Sequence, residues 1–268
     1  METQVVRIAG GVEVPLVVSA RMPAGFRHGF TTRAGGISAP PFESLNLGWK
    51  WGDDRANVAE NRRRLLAASG ASTLLRVSQV HGVRIVRVGR GDDPRDVAAE
   101  QADGLCSDEP GLGLSVHVAD CTPILMACPR TGACAALHAG WRGTVAGMAR
   151  AGVDTMNSQF GCRPEDLRVA LGPCIGVCCF EVGGEVEDAF VAAIPVAREK
   201  GVVVNSVGRK VHIDLRGFQT LELKAAGVLG EHIDASTDCT LCDAGGRFYS
   251  FRGAGRATGQ SVGFIVRG

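Results

Sequence analysis

Three short stretches carry side chains able to hold a cation or to act as nucleophile and base: Ser78 to Gly82 (SQVHG), Val118 to Pro123 (VADCTP) and Leu137 to Gly143 (LHAGWRG). Each places one soft or borderline donor, His81, Cys121 or His138, at the edge of an apolar run beside a turn of small residues. Imidazole and thiolate together suit zinc or copper, and three protein donors leave a fourth position for water or substrate. That open position lets a bound cation lower the pKa of water or polarise an oxygen. The same residues admit a second chemistry, with Cys121 as nucleophile and His138 as its base. They also admit a buried thiol beside core histidines. The donors are far apart in sequence, without CxxC or HxxxH clustering, so spacing alone leaves the three readings open.

Neighbouring residues extend the candidate site. His117 precedes Cys121 by four residues, and on a straight strand rising about 3.3 Å per residue the two lie about 13 Å apart. His117 is therefore expected to be a strand or pocket histidine and no partner in ligation. Asp120 points away from Cys121 in the same geometry unless a turn brings it inward. It is a candidate catalytic residue, either a general acid/base or an acceptor that orients a histidine ligand. Gly140 to Thr144 (GWRGT) precedes a helix, whose N-terminal N–H groups favour phosphate, and Arg142 adds charge there. A surface ion pair is the alternative for Arg142. Cys239 and Cys242 form a CxxC pair, which alone is half a zinc site or a redox pair. No second CxxC completes it in the sequence. With Cys174, Cys178 and Cys179 the pair is expected to be structural or pocket-lining.

The elements that must position these residues mix strands and helices. Phe26 to Arg33 reads as a strand entering a turn at Gly35 and Gly36, and residues 37 to 52 read as a loop. Asp53 or Asp54 caps a helix through about Ala68, with Val58, Leu65 and Leu66 inward and an arginine-rich outer side. Strands are expected at Val83 to Val88, Leu112 to Val118, Ile124 to Cys128, Cys134 to Leu137, Leu167 to Leu171, Val202 to Val204, Val211 to Ile213 and Ser261 to Val266. Apolar residues at helical spacing predict one helix from Arg142 to Ser158, and further helices over Glu185 to Ile194 and Leu215 to Ala226. Strand runs joined by occasional helices predict an α+β fold with mixed β-sheets flanked by helices. With no linker-like stretch, residues 1–268 are expected to form one domain.

Composition removes several function classes. The formal net charge is +1, which gives no global pull toward nucleic acid or a membrane surface. Aromatic residues make up 5% of the chain, too few for a stacking platform along single-stranded nucleic acid. No run approaches the roughly 20 apolar residues of a membrane span. The start of the chain (METQVVRIAG) lacks the pattern of a signal peptide. A cytoplasmic location is therefore expected, with the ten cysteines as thiols, ligands or nucleophiles in a reducing compartment. Cys106, Cys128, Cys134 and Cys162 best fit buried small hydrophobes.

The same motifs carry a resemblance. SQVHG, Ala102 to Gly104 (ADG), VADCTPILM, ALHAGWRGTVAG, GPCIGVCCFEVG and the C-terminal CTLCD and FYSFRGAGRATG resemble the laccase-domain, polyphenol-oxidase-type family. TTRAGG at Thr31 to Gly36, SLNLGW at Ser44 to Trp49 and AENRRRL at Ala59 to Leu65 extend the match, in order, over nearly the whole chain. Members are mostly regarded as zinc-dependent purine nucleoside phosphorylases with adenosine deaminase activity. The resemblance implies a layered α/β/β/α domain related to a toxin deamidase, with the metal on His81, Cys121 and His138. It implies phosphorolysis of adenosine, inosine and methylthioadenosine, with a nucleoside and phosphate as small-molecule partners and a monomer or small homo-oligomer. Arg33 and Asn46 become candidate phosphate or ribose contacts, with loop bracing as the alternative. Two departures stand out: Gly253 and Ala254 follow Arg252 where an acidic residue is usual, and Gln260 replaces a basic or apolar residue. The family's older name implies copper oxidation of phenols. Six histidines are few for a multicopper centre, and Met126 is the nearby candidate for the weak axial ligand a lone copper wants. A cysteine hydrolase or deamidase built on Cys121 and His138 is the third reading.

Overall fold

The structure is a computed structural model that describes residues 1–205 and 210–268. In chain order its first strands are β1 (Glu2–Arg7), β2 (Glu13–Val18), β3 (Phe26–Thr31), β4 (Thr73–Leu75), β5 (Ile85–Arg87), β6 (Gly104–Ser107) and β7 (Leu112–Val118). They continue with β8 (Thr122–Ala127), β9 (Cys134–Ala139), β10 (Arg168–Leu171), β11 (Glu181–Val182), β12 (Val203–Asn205), β13 (Val211–Ile213), β14 (Ile233–Ala235) and β15 (Ser261–Arg267). The helices are α1 (Arg55–Ser69), α2 (Pro94–Ala99), α3 (Trp141–Val145), α4 (Met148–Phe160), α5 (Gly184–Ala193), α6 (Leu215–Ala225) and α7 (Phe251–Ala254).

Two six-stranded sheets dominate, with orders β1-β2-β3-β15-β7-β4 and β14-β10-β8-β9-β6-β5. Both are mixed: the parallel pairs are β4–β7 in the first sheet and β10–β14 and β5–β6 in the second. A small antiparallel sheet, β11-β13-β12, packs beside them. Strand alternation assigns the layers. On β8, Leu125 and Ala127 join Phe30, Leu114 and Ile265 between the two large sheets. Ile124 and Met126 face the other way, against Val153 and Met156 of α4 and Leu223 of α6. On the far side of the first sheet, Leu65 of α1 covers Leu16, Val262 and Phe264. The order of layers is α/β/β/α, and the α+β expectation holds.

Helix α1 begins where a capping residue dictates: the Asp54 carboxylate accepts the N–H groups of Ala56 and Asn57. Its buried Asn61 accepts from Ile37 N and donates to the carbonyls of Ser44 and Asn46, which fixes the 37–52 loop against the helix. The helix expected over Arg142 to Ser158 is two helices. Gly147, at φ +87°, takes a left-handed conformation that glycine adopts without strain, and the chain turns there between α3 and α4. β1 and β2 lie outside the expected elements, as do β4, β6, β14 and α2. Among the described residues no helix is long and apolar enough to cross a membrane.

Candidate metal centre

His81 and Cys121 come from two connections and His138 from strand β9, and their donor atoms all lie within 4.8 Å of one another. Cys121 occupies the tight turn between β7 and β8, and Asp120 before it has φ +87°. That reversal is why the straight-strand separation of His117 and Cys121 does not apply. His138 sits on β9, opposite Pro123 of β8 in register. His81 lies in the 78–82 loop with φ +64°. A left-handed residue with a side chain costs about 1–2 kcal/mol, so something must hold His81 there.

Asp103 holds it. This fully buried carboxylate accepts backbone N–H groups from Val80 (3.2 Å), His81 (2.9 Å) and Gly82 (2.7 Å). The same carboxylate is 2.8 Å from His138 Nδ1, and the Asp103 carbonyl accepts from His138 N at 2.7 Å. Hydrogen bonds to a charged group contribute about 1.5–3 kcal/mol each, enough to offset the strain at His81. A carboxylate only accepts, so Nδ1 carries the proton and Nε2 is left to face Cys121. One acid therefore sets both the His81 turn and the His138 tautomer.

The electrostatics follow. Burial pushes the Cys121 thiol up, but His138 and His81 outweigh it and bring it down to about 6. Burial pulls His138 down, while Cys121 and Asp103 raise it to about 9. Burial pushes Asp103 up, and its bonds from His138, Gly82 and His81 hold it below the usual carboxylate value. Between about pH 6 and 9 the metal-free pair is thus thiolate and imidazolium. A cation binding His138 must displace the imidazolium proton, and below about pH 6 it must displace the thiol proton too. Loading at about pH 7.5 is expected to release about one proton from this pair, and affinity falls as pH falls, more steeply below about pH 6. Calorimetry in buffers of different ionisation enthalpy reads the number; no proton release contradicts the assignment.

The fit of a metal ion rests on the donor set and on the space kept for it. Bonds of about 2.0–2.3 Å to one ion put tetrahedral donors roughly 3.5 Å apart, within the convergence observed. Gly140 lies against the group: a Cβ there meets His81 Cδ2 at 2.9 Å and Cys121 Sγ at 3.1 Å. Its backbone (φ −71°, ψ 175°) suits any residue. Gly140→Ala is therefore expected to fold with a near-native melting temperature and to hold metal at least about 10-fold more weakly. Unchanged zinc affinity contradicts this crowding.

The three donors floor a cavity of about 450 Å³ whose walls include Trp49, Lys50, Arg62, Arg76, Gln79 and His117, with Trp51 and Phe251 at its rim. Leu47 O accepts from Arg62 Nε (2.9 Å), Arg62 Nη2 (2.6 Å) and His117 Nε2 (3.2 Å). His117 is thus a neutral pocket histidine, its protonation suppressed by burial and by Arg62 and Arg76. Arg62 also lies over the Trp49 ring at 4.4 Å. Burial and Arg76 bring Arg62 down to about 9, and burial lowers Arg76. Among the described residues neither guanidinium has a carboxylate partner.

The expected substrate contacts lie elsewhere. Arg33 binds Glu43 at 2.9 Å and faces Tyr249 in a separate cleft. Buried Asn46 braces its loop, donating to Asp53 and Gly48 and accepting from Gly48 N and Gln260 N. Arg142 is exposed and stacks on Trp141 at 4.2 Å, on the short helix α3 and outside the set of residues lining the cavity. Asp120 accepts Thr240 Oγ1 at 2.5 Å and Arg252 N at 2.6 Å, and the carboxylate on His138 is Asp103. Met126 is fully buried beneath Gly152 of α4, on the opposite face of β8 from the space between the sheets, so it is no axial ligand. Cys239 and Cys242 do find partners, Cys178 and Cys179, in a four-sulfur group. Cys174 stays apart, buried and hydrogen-bonded to Ile175 O.

Residues 27–268 match the family described as multi-copper polyphenol oxidoreductase laccase. This chain belongs to that family. It is 39% identical over 251 residues to the purine nucleoside phosphorylase YlmD of Geobacillus stearothermophilus, covering 91% of each chain. It is 42% identical over 244 residues to the purine nucleoside phosphorylase PA4543 of Pseudomonas aeruginosa, covering 91% of this chain and 94% of that protein. The crystal structure of YlmD from Geobacillus stearothermophilus superposes with a TM-score of 0.87 at 35% identity, over 98% of each chain. Within this family member the described residues bring two imidazoles and one thiolate to a single point in the cavity.

Proposed function

We propose that this chain is a zinc-dependent purine nucleoside phosphorylase that also deaminates adenosine at the same cavity. The observation that carries the reading is a pair of half-buried guanidiniums without acidic partners among the described residues, Arg62 and Arg76, lining the same cavity as His81, Cys121 and His138. Two desolvated cations in one wall favour a dianion such as hydrogen phosphate. The rim aromatics Trp51 and Phe251, with centroids 5.4 Å apart, offer faces for a flat heterocycle. The names of the two relatives support the same chemistry.

His81, Cys121 and His138 would hold the ion. When bound, zinc supplies a Lewis acid that polarises an oxygen and lowers the pKa of water. Asp103 fixes the His138 ring and the His81 turn before substrate arrives. Arg62 and Arg76 hold hydrogen phosphate so that one of its oxygens forms the bond to the ribose anomeric carbon. The glycosidic electron pair leaves with the purine, and the phosphate's own proton balances the purine's, giving free base and ribose 1-phosphate. Trp49 backs Arg62, its ring centroid 4.4 Å from the guanidinium carbon, and so holds the side chain in place. In deamination, water replaces the exocyclic amine and adenosine becomes inosine.

A second reading has one observation in its favour: Asp103, His138 and Cys121 form an acid–imidazole–thiolate chain, the arrangement of a cysteine hydrolase. The experiment that separates the two supplies adenosine with and without phosphate, before and after chelation. Adenine release that needs phosphate and ends on chelation supports phosphorolysis. A thiol-dependent hydrolysis that survives chelation supports the alternative.

A further inference from the structure

The four-sulfur group lies outside the cavity and outside the chemistry above. The Sγ atoms of Cys178, Cys179, Cys239 and Cys242 all lie within 4.8 Å of one another. Cys178 and Cys242 are 3.4 Å apart, and all four are free thiols. Thiolates about 2.3 Å from a common ion sit about 3.8 Å apart in a tetrahedron. The sulfurs are therefore within a small adjustment of a complete coordination shell. Two turns supply them. In the first, Cys179 N and Phe180 N both donate to Gly176 O at 2.9 Å. The second is the CTLC turn itself. Cys239 Sγ accepts Gly176 N at 3.2 Å and is also faced by the N–H groups of Leu241 and Cys242. N–H groups aimed at one sulfur stabilise a thiolate. Gly176 permits the approach, because a Cβ there meets Cys178 Sγ at 3.1 Å and Cys239 Cβ at 3.2 Å. Free cysteines usually sit as buried small hydrophobes, yet Cys178 and Cys242 are exposed.

We propose that Cys178, Cys179, Cys239 and Cys242 form a closed tetrathiolate site for zinc(II), a structural staple distinct from the cavity ion. All four positions are filled by protein, which leaves none for substrate. Binding replaces S–H bonds by S–Zn bonds, the protons pass to solvent, and nothing is oxidised or reduced. The staple joins the 176–182 segment to the 239–252 segment. The latter carries Phe251 to the cavity rim, and through Thr240 and Arg252 it bonds Asp120, the residue before Cys121. Arg252 also donates to Glu181 O at 3.0 Å, closing the link.

The test is metal analysis of full-length protein purified under reductant. The wild type is expected to hold about two zinc ions, the Cys121→Ala protein about one, and Cys121→Ala/Cys239→Ser/Cys242→Ser none. Cobalt(II) in the Cys121→Ala protein should give intense sulfur-to-cobalt charge-transfer absorption. Should the triple variant fail to fold, titrating the Cys121→Ala protein with a mercurial reads the same site. Zinc release should then track loss of four thiols. A Cys121→Ala protein that folds and holds no zinc overturns the proposal, as does a Cys178–Cys242 disulfide in place of metal. Because occupancy is read without the cavity ligand Cys121, the result is independent of nucleoside chemistry.

Discussion

Asp103→Asn is expected to lower zinc affinity at the cavity by about 10–100-fold and to lower phosphorolysis with it. The carboxylate accepts three backbone N–H groups and the Nδ1 proton of His138. An amide offers one accepting oxygen and presents an NH₂ where donors already point. Each buried donor left without a partner costs about 1–3 kcal/mol, so a melting-temperature drop should accompany the loss of metal. The wild-type contribution also has a pH signature. Asp103 titrates lower in the fold than a free carboxyl, so its stabilisation is present above the unfolded carboxyl's pKa. It is lost as pH falls through the folded value. The asparagine protein should lack that acid-side slope. Retention of full zinc affinity and an unchanged acid limb would show that Asp103 positions neither histidine.

The second large effect belongs to Arg62. Arg62→Ala should raise KM for phosphate by about 10–100-fold, the range of one hydrogen bond to a charged group. KM for the nucleoside should stay within about 2-fold. Arg62→Lys keeps the charge but loses the two-pronged geometry and should recover part of the loss. His117 still donates to Leu47 O in both variants, so the carbonyl keeps a partner and melting temperatures should stay close to wild type. A rise in nucleoside KM with phosphate KM unchanged would move the anion away from this wall.

What could be read from the chain depended on whether the signal was local. His81, Cys121 and His138 stood out because each is a lone donor at the end of an apolar strand beside a small-residue turn, and the structure brings the three together. Asp103 carries no local signal beyond its place in ADG: a buried acid is recognisable only by the 80–82 turn and His138, which no pattern near residue 103 reveals. Arg62 carries no such signal, because helical spacing puts it off the apolar stripe of α1, within the arginine-rich outer side. Its long side chain instead folds onto Leu47 O and Trp49. The CTLC pair is incomplete in the sequence because its partners are about sixty residues earlier, brought to it by long-range contacts such as the Cys174–Cys239 bridge and the Gly176 N–Cys239 Sγ hydrogen bond.

The fold followed the same division. The continuous apolar runs of β7, β8 and β9 mark them in the sequence as strands covered on both faces, and the structure buries them so. β1 is a solvent-exposed edge strand, so its pattern of polar and apolar residues carried no burial signal. Gly147 sits inside a helical repeat that continues on both sides of it, so the break between α3 and α4 has no signal in the periodicity. The α/β/β/α layering is implied by the family resemblance, and the packing of α1 and α4 on opposite outer faces agrees with it.

The most direct measurement of the central claim follows ¹⁸O-labelled phosphate through adenosine turnover by the zinc-loaded protein. The account predicts ribose 1-phosphate that keeps the label in its bridging carbon–oxygen bond, formed in step with adenine and absent with Cys121→Ala. Free ribose, unlabelled sugar phosphate, or equal turnover by Cys121→Ala would contradict it.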